Sequence, residues 1–284
     1  MTLARLKDKP KPKQGGVWMH KPKYQNIEFS IVDGLAKLVL NRPDRLNSFN
    51  AEMHVEVKSA FKRLATKGAA RCLLITGSGR GFCAGQDLSD RSVSGGDQAP
   101  DLSASIRDNY NPLIRAITAL EMPVICAVNG VAAGAGANIA LACDIVIAAQ
   151  SASFIQSFNK LGLVPDSGGT WMLPRLVGHA RAMRLCLLGE KVTASKALEM
   201  GMISQVVEDD DLLKIASDIG QQLASAPTLG LALIKRALLV SSSHNLDQQL
   251  DLECELQGVA GRSDDYREGV SAFMEKRSPN YQGC

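Results

Sequence analysis

The run VICAVNGVAAGAGANIALACDIVIAA at 124–149 constrains the fold more than any other part of this chain. It is long enough to raise the question of a membrane span, yet Asn129, Asn138, Asp144 and repeated glycines interrupt it, and polar groups at membrane depth are expensive. It reads instead as a buried strand at 124–128, a glycine-rich corner, a short helix near 136–142 and a second buried strand at 144–149. Continuous apolar strands separated by a helix predict a parallel sheet covered on both faces, and so a layered α/β core.

The same alternation precedes it. Residues 27–32 and 35–40 are β-rich and joined by Asp33-Gly34, a tight-hairpin signal. NRPDRLNSFN at 41–50 reads as a loop, after which Met53, Val57, Phe61 and Leu64 recur at helical spacing over 51–66 with Asn50 as N-cap. CLLITG at 72–77 is another buried strand, and it too runs into a glycine-rich corner, GRGFCAGQDL at 79–88. RSVSGGDQAPDL at 91–102 has the composition of a mobile loop able to cover a site, and leads into a helix near 103–120. From Gly178 the pattern is helical almost throughout, over 178–188, 193–200, 208–225, 228–240, 245–260 and 264–276. Stripes such as Leu212, Ile215, Ile219 and Leu223 mark core or subunit contact. The expected division is a basic, disordered arm at 1–26, an α/β core at 27–200 and a helical module at 201–284.

The formal net charge of +3 conceals an asymmetry, because residues 1–26 hold seven Lys and Arg against Asp8, a local +6 that leaves −3 elsewhere. A Lys/Pro arm of this kind is a solvated tail, with phosphate or nucleic-acid contact as the alternative. With only 5% aromatic residues, the rest of the chain lacks the rings of a base-stacking surface. The arm has neither the apolar core of a secretory signal nor the amphipathic period of a transit peptide, and the expected location is the cytoplasm. Seven cysteines without a CxxC pair suit a reducing compartment, and four isolated histidines give no metal-ligand spacing, so no metal site is expected.

The glycine runs are not nucleotide fingerprints: GSGRGF at 77–82 ends in Phe82, GAGANI at 134–139 ends in Ile139, and no GK[ST] or GxSxG motif occurs. Each is a corner that follows an apolar strand, where small residues let main-chain N–H groups approach a ligand and stabilise a carbonyl oxygen that gains negative charge. Tight packing alone is the competing explanation. A third run, LGLVPDSGGTW at 161–171, sets Asp166 between a proline and a glycine pair among apolar residues, where it can move protons or, alternatively, cap a helix.

The runs GFCAGQDL, ICAVNGVAAGAGANIALACDIVIAA and LGLVPDSGGTW resemble the signature of the crotonase (enoyl-CoA hydratase/isomerase) superfamily, and the resemblance extends over about 27–280. NRPDRLNSFNAEMH, ARAM with LLG, and AGRSDDYREGVSAF with KRSP are most similar to the branch of isomerases that act on ring-1,2-epoxyphenylacetyl-CoA in phenylacetate breakdown. The resemblance implies a crotonase fold, that is, a core of repeated β-β-α turns with a C-terminal helical trimerisation module, assembled as a homotrimer or dimer of trimers. It implies an acyl-CoA substrate, with CoA part of that substrate and no separate cofactor, nucleic acid or membrane partner.

Carried onto this sequence, the resemblance places the oxyanion-hole N–H groups on Gln86 and Ala135. The two glutamates with which hydratases of the superfamily activate water fall on Asn138 and Phe158, which leaves Asp166 as the matching acid. The implied reaction is a 1,3-proton shift through an enolate, with Asp166 expected to be buried beside Phe158 and Trp171. The alternatives are a general Δ3,Δ2-enoyl-CoA isomerase, a hydratase, and a binding subunit of the same fold that has lost turnover. Arg45 is implied near the CoA phosphates, and Ala84, Gln86, Asp87 and Leu88 beside the adenine. Phe273 and Lys276 are implied to reach a neighbouring subunit's CoA; without the resemblance they read as core packing and a solvated charge.

Overall fold

The computed structural model describes residues 23–66, 68–91 and 101–284. The basic arm as far as residue 22 and residues 92–100 of the expected loop lie outside the described residues. The hairpin is formed as its turn dictates: β1 (Ile27–Val32) pairs antiparallel with β2 (Leu35–Leu40), and Asp33 and Gly34 take φ of 48° and 79°, as a type I′ turn requires. Helix α1 (Ala51–Leu64) follows, with the Asn50 side chain accepting the Met53 N–H, and buries Met53, Val57, Phe61 and Leu64.

Three times the chain then makes the same move. β3 (Cys72–Gly77) turns into β4 (Gly81–Cys83), β5 (Val124–Val128) into β6 (Val131–Ala133), and β7 (Ile145–Ala149) into β8 (Ser153–Ile155). In each pair the first strand extends a six-stranded sheet and the second enters a smaller one. Helical segments come after each pair. The first is followed by α2 (Leu102–Ser105), a π-helical turn at Ile106–Tyr110 and α3 (Asn111–Ala119), the second by α4 (Ala135–Leu141), and the third by α5 (Gly169–Val177). These are the repeated β-β-α turns that the resemblance implied. Side-chain amides hold the corners closed. Asn129 accepts from Gly77 N–H and donates to the carbonyls of Gly79 and Gly81 at 2.9 and 3.2 Å, and buried Asn47 donates to those of Ser78 and Gly81. They satisfy main-chain groups that leave one sheet before joining the other.

The stretch expected to be helical after Gly178 contains α6 (His179–Leu188), α7 (Ala194–Glu199) and two strands that periodicity did not reveal, β9 (Lys191–Thr193) and β10 (Gln205–Val207). The main sheet has the order β1-β2-β3-β5-β7-β10, parallel from β2 onward, and the smaller sheet β4-β6-β8-β9 is parallel up to its antiparallel edge strand β9. β3 and β5 are buried at every position, and α8 (Leu212–Ala224) lies across β3, β5 and β7. Both β10 and α8 lie beyond residue 200 and belong to the main-sheet layer.

The remaining helices, α9 (Thr228–Ser241), α10 (Leu246–Ala260) and α11 (Asp264–Glu275), are tied back by two cations. Lys235 pairs with Asp144 at 2.9 Å and donates to the Ile117 carbonyl, while Arg71 donates to Thr228 Oγ1 and to the carbonyls of Ala226 and Tyr281. No single helix among the described residues is long and apolar enough to cross a membrane.

Candidate active site

The first two glycine corners meet. Gly85 takes φ of +90°, and a methyl group added there would lie 2.9 Å from the Ala133 carbonyl oxygen and 3.3 Å from the Ala135 nitrogen. Gly136 packs so closely on the carbonyl of Cys83 that no side chain fits between them. The two candidate oxyanion donors therefore sit on touching segments, although they are far apart in sequence.

Their directions follow from the bonds around them. Phe49 N–H donates to the Gly85 carbonyl at 2.7 Å, and Asp87 N–H donates to the Phe49 carbonyl at 2.8 Å. Because a trans peptide sets C=O and N–H on opposite sides, the Gln86 N–H faces away from Phe49. Ala135 is the first residue of α4, and the carbonyl of its peptide, that of Gly134, accepts the Asn138 N–H at 3.2 Å. Its own N–H thus points out of the positive end of the helix, where intrahelical acceptors are lacking.

Asp166 is joined to the same helix. Asn138, fully buried, donates its Nδ2 to the Asp166 carbonyl oxygen at 2.8 Å and accepts Gln156 Nε2 at Oδ1, also at 2.8 Å. The Ser167 hydroxyl donates to Asp166 Oδ1 at 2.9 Å, and Ser167, itself buried, takes φ of +51°, a left-handed conformation that costs a non-glycine residue energy and that clusters at functional sites. The helix-cap alternative does not describe Asp166: α5 starts at Gly169 with Gly168 as its N-cap and no side-chain cap. Asp166 is half-buried, where burial was expected. Phe158 is buried next to the corner, within 3.7 Å of where a Gly134 side chain would begin, but Trp171 is 46% exposed and carries the Arg175 guanidinium 4.1 Å from its ring centre.

The other predicted residues differ in exposure and partners. Ala84 and Gln86 are half-buried, Leu88 and Arg45 are exposed, and Arg45 ends a 3₁₀ turn at Pro43–Arg45. Asp87 is buried, its carboxylate bound by Arg42 at 2.9 Å and by the Ser89 hydroxyl at 2.6 Å. Those Ser89 bonds, more than the Arg42 guanidinium, hold its carboxyl below the usual range. Cys83, in the same corner, is no nucleophile at neutral pH, since burial pushes its thiol up to about 12. Phe273 is 82% exposed on α11, and Lys276 caps that helix with φ of 54°. Among the described residues no three His, Cys, Asp or Glu side chains gather as a metal site would need. Sequence reasoning missed Arg42, Ser167, Gln156 and Tyr110, whose hydroxyl donates to Gln86 Oε1 at 3.0 Å.

Two touching glycine corners, with the main chain of an acid hydrogen-bonded to the short helix that follows one of them, within stacked β-β-α turns, mark a class of proteins, and the chain belongs to it: residues 30–284 match the enoyl-CoA hydratase/isomerase family. It is 57% identical over 250 residues to the 1,2-epoxyphenylacetyl-CoA isomerase of Escherichia coli K12, covering 88% of this chain and 95% of that one. It is 34% identical to the crotonyl-CoA hydratase of Syntrophomonas wolfei, covering 91% and 98% of the two chains. The crystal structure of the enoyl-CoA hydratase from Bacillus anthracis superposes with a TM-score of 0.84 at 32% identity, covering 92% of this chain and all of that one.

Proposed function

We propose that this chain isomerises CoA thioesters, converting ring-1,2-epoxyphenylacetyl-CoA to oxepin-CoA in phenylacetate breakdown. The likeness to the E. coli isomerase supports the substrate, and the residues support the reaction type. Where hydratases of the superfamily carry two glutamates, this chain carries Asn138 and Phe158, neither of which can serve as a base toward water. The observation that carries the reading is the double use of α4: Ala135 at its start faces outward as a donor, and Asn138 one turn later holds the main chain of Asp166.

In this reading Asp166 removes a proton from the carbon next to the thioester. The electron pair of that C–H bond moves into the carbonyl, whose oxygen is stabilised by the N–H groups of Gln86 and Ala135, each such donor being worth roughly 2.7–4 kcal/mol in other enzymes. The protonated Asp166 returns the proton to the γ-carbon, which leaves a double bond conjugated with the thioester. For the ring epoxide the shift acts on its seven-membered oxepin form, in which the carbon–carbon bond shared by the epoxide and the six-membered ring has opened to leave a C=C bond β,γ to the thioester. Electrons are conserved in both steps, so the balance needs no redox cofactor, and CoA enters as part of the substrate. The same steps describe a linear 3-enoyl thioester, the second substrate class to be tested.

Arg45 serves the CoA phosphates, and Ala84, Gln86, Asp87 and Leu88 border the adenine. Phe273 and Lys276 serve a neighbouring subunit in a homotrimer or pair of trimers built through the C-terminal helices. The exposed apolar side chains Ile234, Leu238, Val270, Phe273 and Met274 on α9 and α11 support such an assembly surface. The seven unbridged cysteines support a reducing cytoplasm. The test is turnover of the phenylacetyl epoxide thioester and of a linear 3-enoyl thioester. Turnover of the first supports the assignment, turnover of the linear substrate alone would replace it with a general enoyl-CoA isomerase, and hydration of a 2-enoyl thioester would contradict the loss of both glutamates.

A further inference from the structure

Gln86 brings to the proposed oxyanion corner a side chain that is long, flexible and ends in an acceptor as well as a donor. In the structure that side chain is secured at both ends. Tyr110 donates its hydroxyl to Gln86 Oε1 at 3.0 Å, and Nε2 folds back on the Asp87 carbonyl at 3.3 Å. Tyr110 is fully buried and closes the π-helical turn Ile106–Tyr110, a distortion that helices tend to carry at functional positions. Its ring stands edge-on to His54 at 4.6 Å and 6.0 Å from Phe49, the residue whose main chain brackets Gln86.

We propose that Tyr110 is a positioning residue of the oxyanion corner: its hydroxyl pins the Gln86 carboxamide so that the corner presents its main-chain N–H, and not a side-chain carbonyl, to the thioester oxygen. A released Gln86 would swing its Oε1 dipole toward the charge that the N–H must stabilise, or offer Nε2 in a competing geometry. The effect on the reaction rests on the isomerase reading; the effect on a bound thioester carbonyl does not. The pin also joins the oxyanion corner to the helical segment 106–119, from which Ile114 reaches toward the Asp166 loop: its Cγ2 would lie 3.6 Å from a side chain built on Gly168.

The experiment is a double-mutant cycle between Tyr110→Phe and Gln86→Ala, read in two ways. The first readout is kcat and KM for the 3-enoyl thioester. The second is the red shift of cinnamoyl-CoA on binding, which grows as its carbonyl accepts stronger hydrogen bonds and needs no turnover. In the wild-type background Tyr110→Phe is expected to lower kcat about tenfold with KM changed by less than about twofold, and to shrink the red shift; in the Gln86→Ala background it should do neither, because no carboxamide is left to pin. Equal losses in both backgrounds, or an unchanged red shift in Tyr110→Phe, would overturn the proposal. If the wild-type protein turned over neither thioester, the isomerase reading would fail while the red shift still decided the role of Tyr110.

Discussion

Asn138 donates its amide hydrogen to the main-chain carbonyl of Asp166 at 2.8 Å, three residues along the helix that opens with Ala135. One helical turn therefore ties the proposed oxyanion donor to the main chain of the proposed base. Where the resemblance to hydratases would place a catalytic carboxylate, this chain carries an anchor.

Asn138→Ala removes that anchor: Gln156 Nε2 loses the Asn138 acceptor, and the Asp166 carbonyl is held by the Gly169 N–H but no longer tied to α4. A misplacement of about 1 Å costs on the order of 10²-fold in rate, so kcat should fall roughly 10- to 100-fold while KM changes little. The buried Gln156 amide that loses its acceptor should lower stability by about 1–3 kcal/mol. Steady-state kinetics with denaturant unfolding of the same variant checks both, and a stability loss with unchanged kcat would assign Asn138 to packing alone.

Gly136→Ala tests whether the corners must touch. The added methyl meets the Cys83 carbonyl, and the backbone must move to accept it. Overpacking costs about 1–3 kcal/mol, and displacing an oxyanion donor costs about 10²-fold in kcat. Thermal unfolding and kinetics of the variant provide the check.

Asp87 should make stability depend on acid. Its carboxyl is held below the usual range by Ser89 and Arg42, and a depressed folded-state pKa adds stability above the unfolded value of about 4 that is lost as pH falls through the folded one. Wild type should exceed Asp87→Asn by about 1–2 kcal/mol at pH 7. The gap should close in acid below the folded-state pKa, where the carboxyl becomes neutral like the amide. Urea unfolding at the two pH values measures it, and a gap that persists in acid would show that charge is not its source.

The long buried strands, the Asp33-Gly34 hairpin and α1 are legible in the sequence because each satisfies a period, a run length or a turn rule on its own. The second sheet is not. Its strands β4, β6, β8 and β9 are three residues each, too short to display alternation, and they exist because neighbouring turns stack. The oxyanion corners and Asp166 stand out through glycine and acid in apolar surroundings. The bonds that orient them join residues far apart, Asn138 to Asp166, Tyr110 to Gln86 and Arg42 to Asp87, and no local pattern encodes such pairs. One signal was available: an asparagine inside the otherwise small and apolar run AGANIAL must find partners once buried.

The account depends most directly on Asp166 as the group that moves the proton. The decisive measurement is incorporation of deuterium from deuterated water into a linear 3-enoyl-CoA, followed by NMR for the wild type and Asp166→Asn. The wild type should exchange at the α- and γ-carbons, and the variant should lose about 10²- to 10⁴-fold in exchange rate while binding the thioester as tightly. Exchange at the wild-type rate in Asp166→Asn would contradict the account.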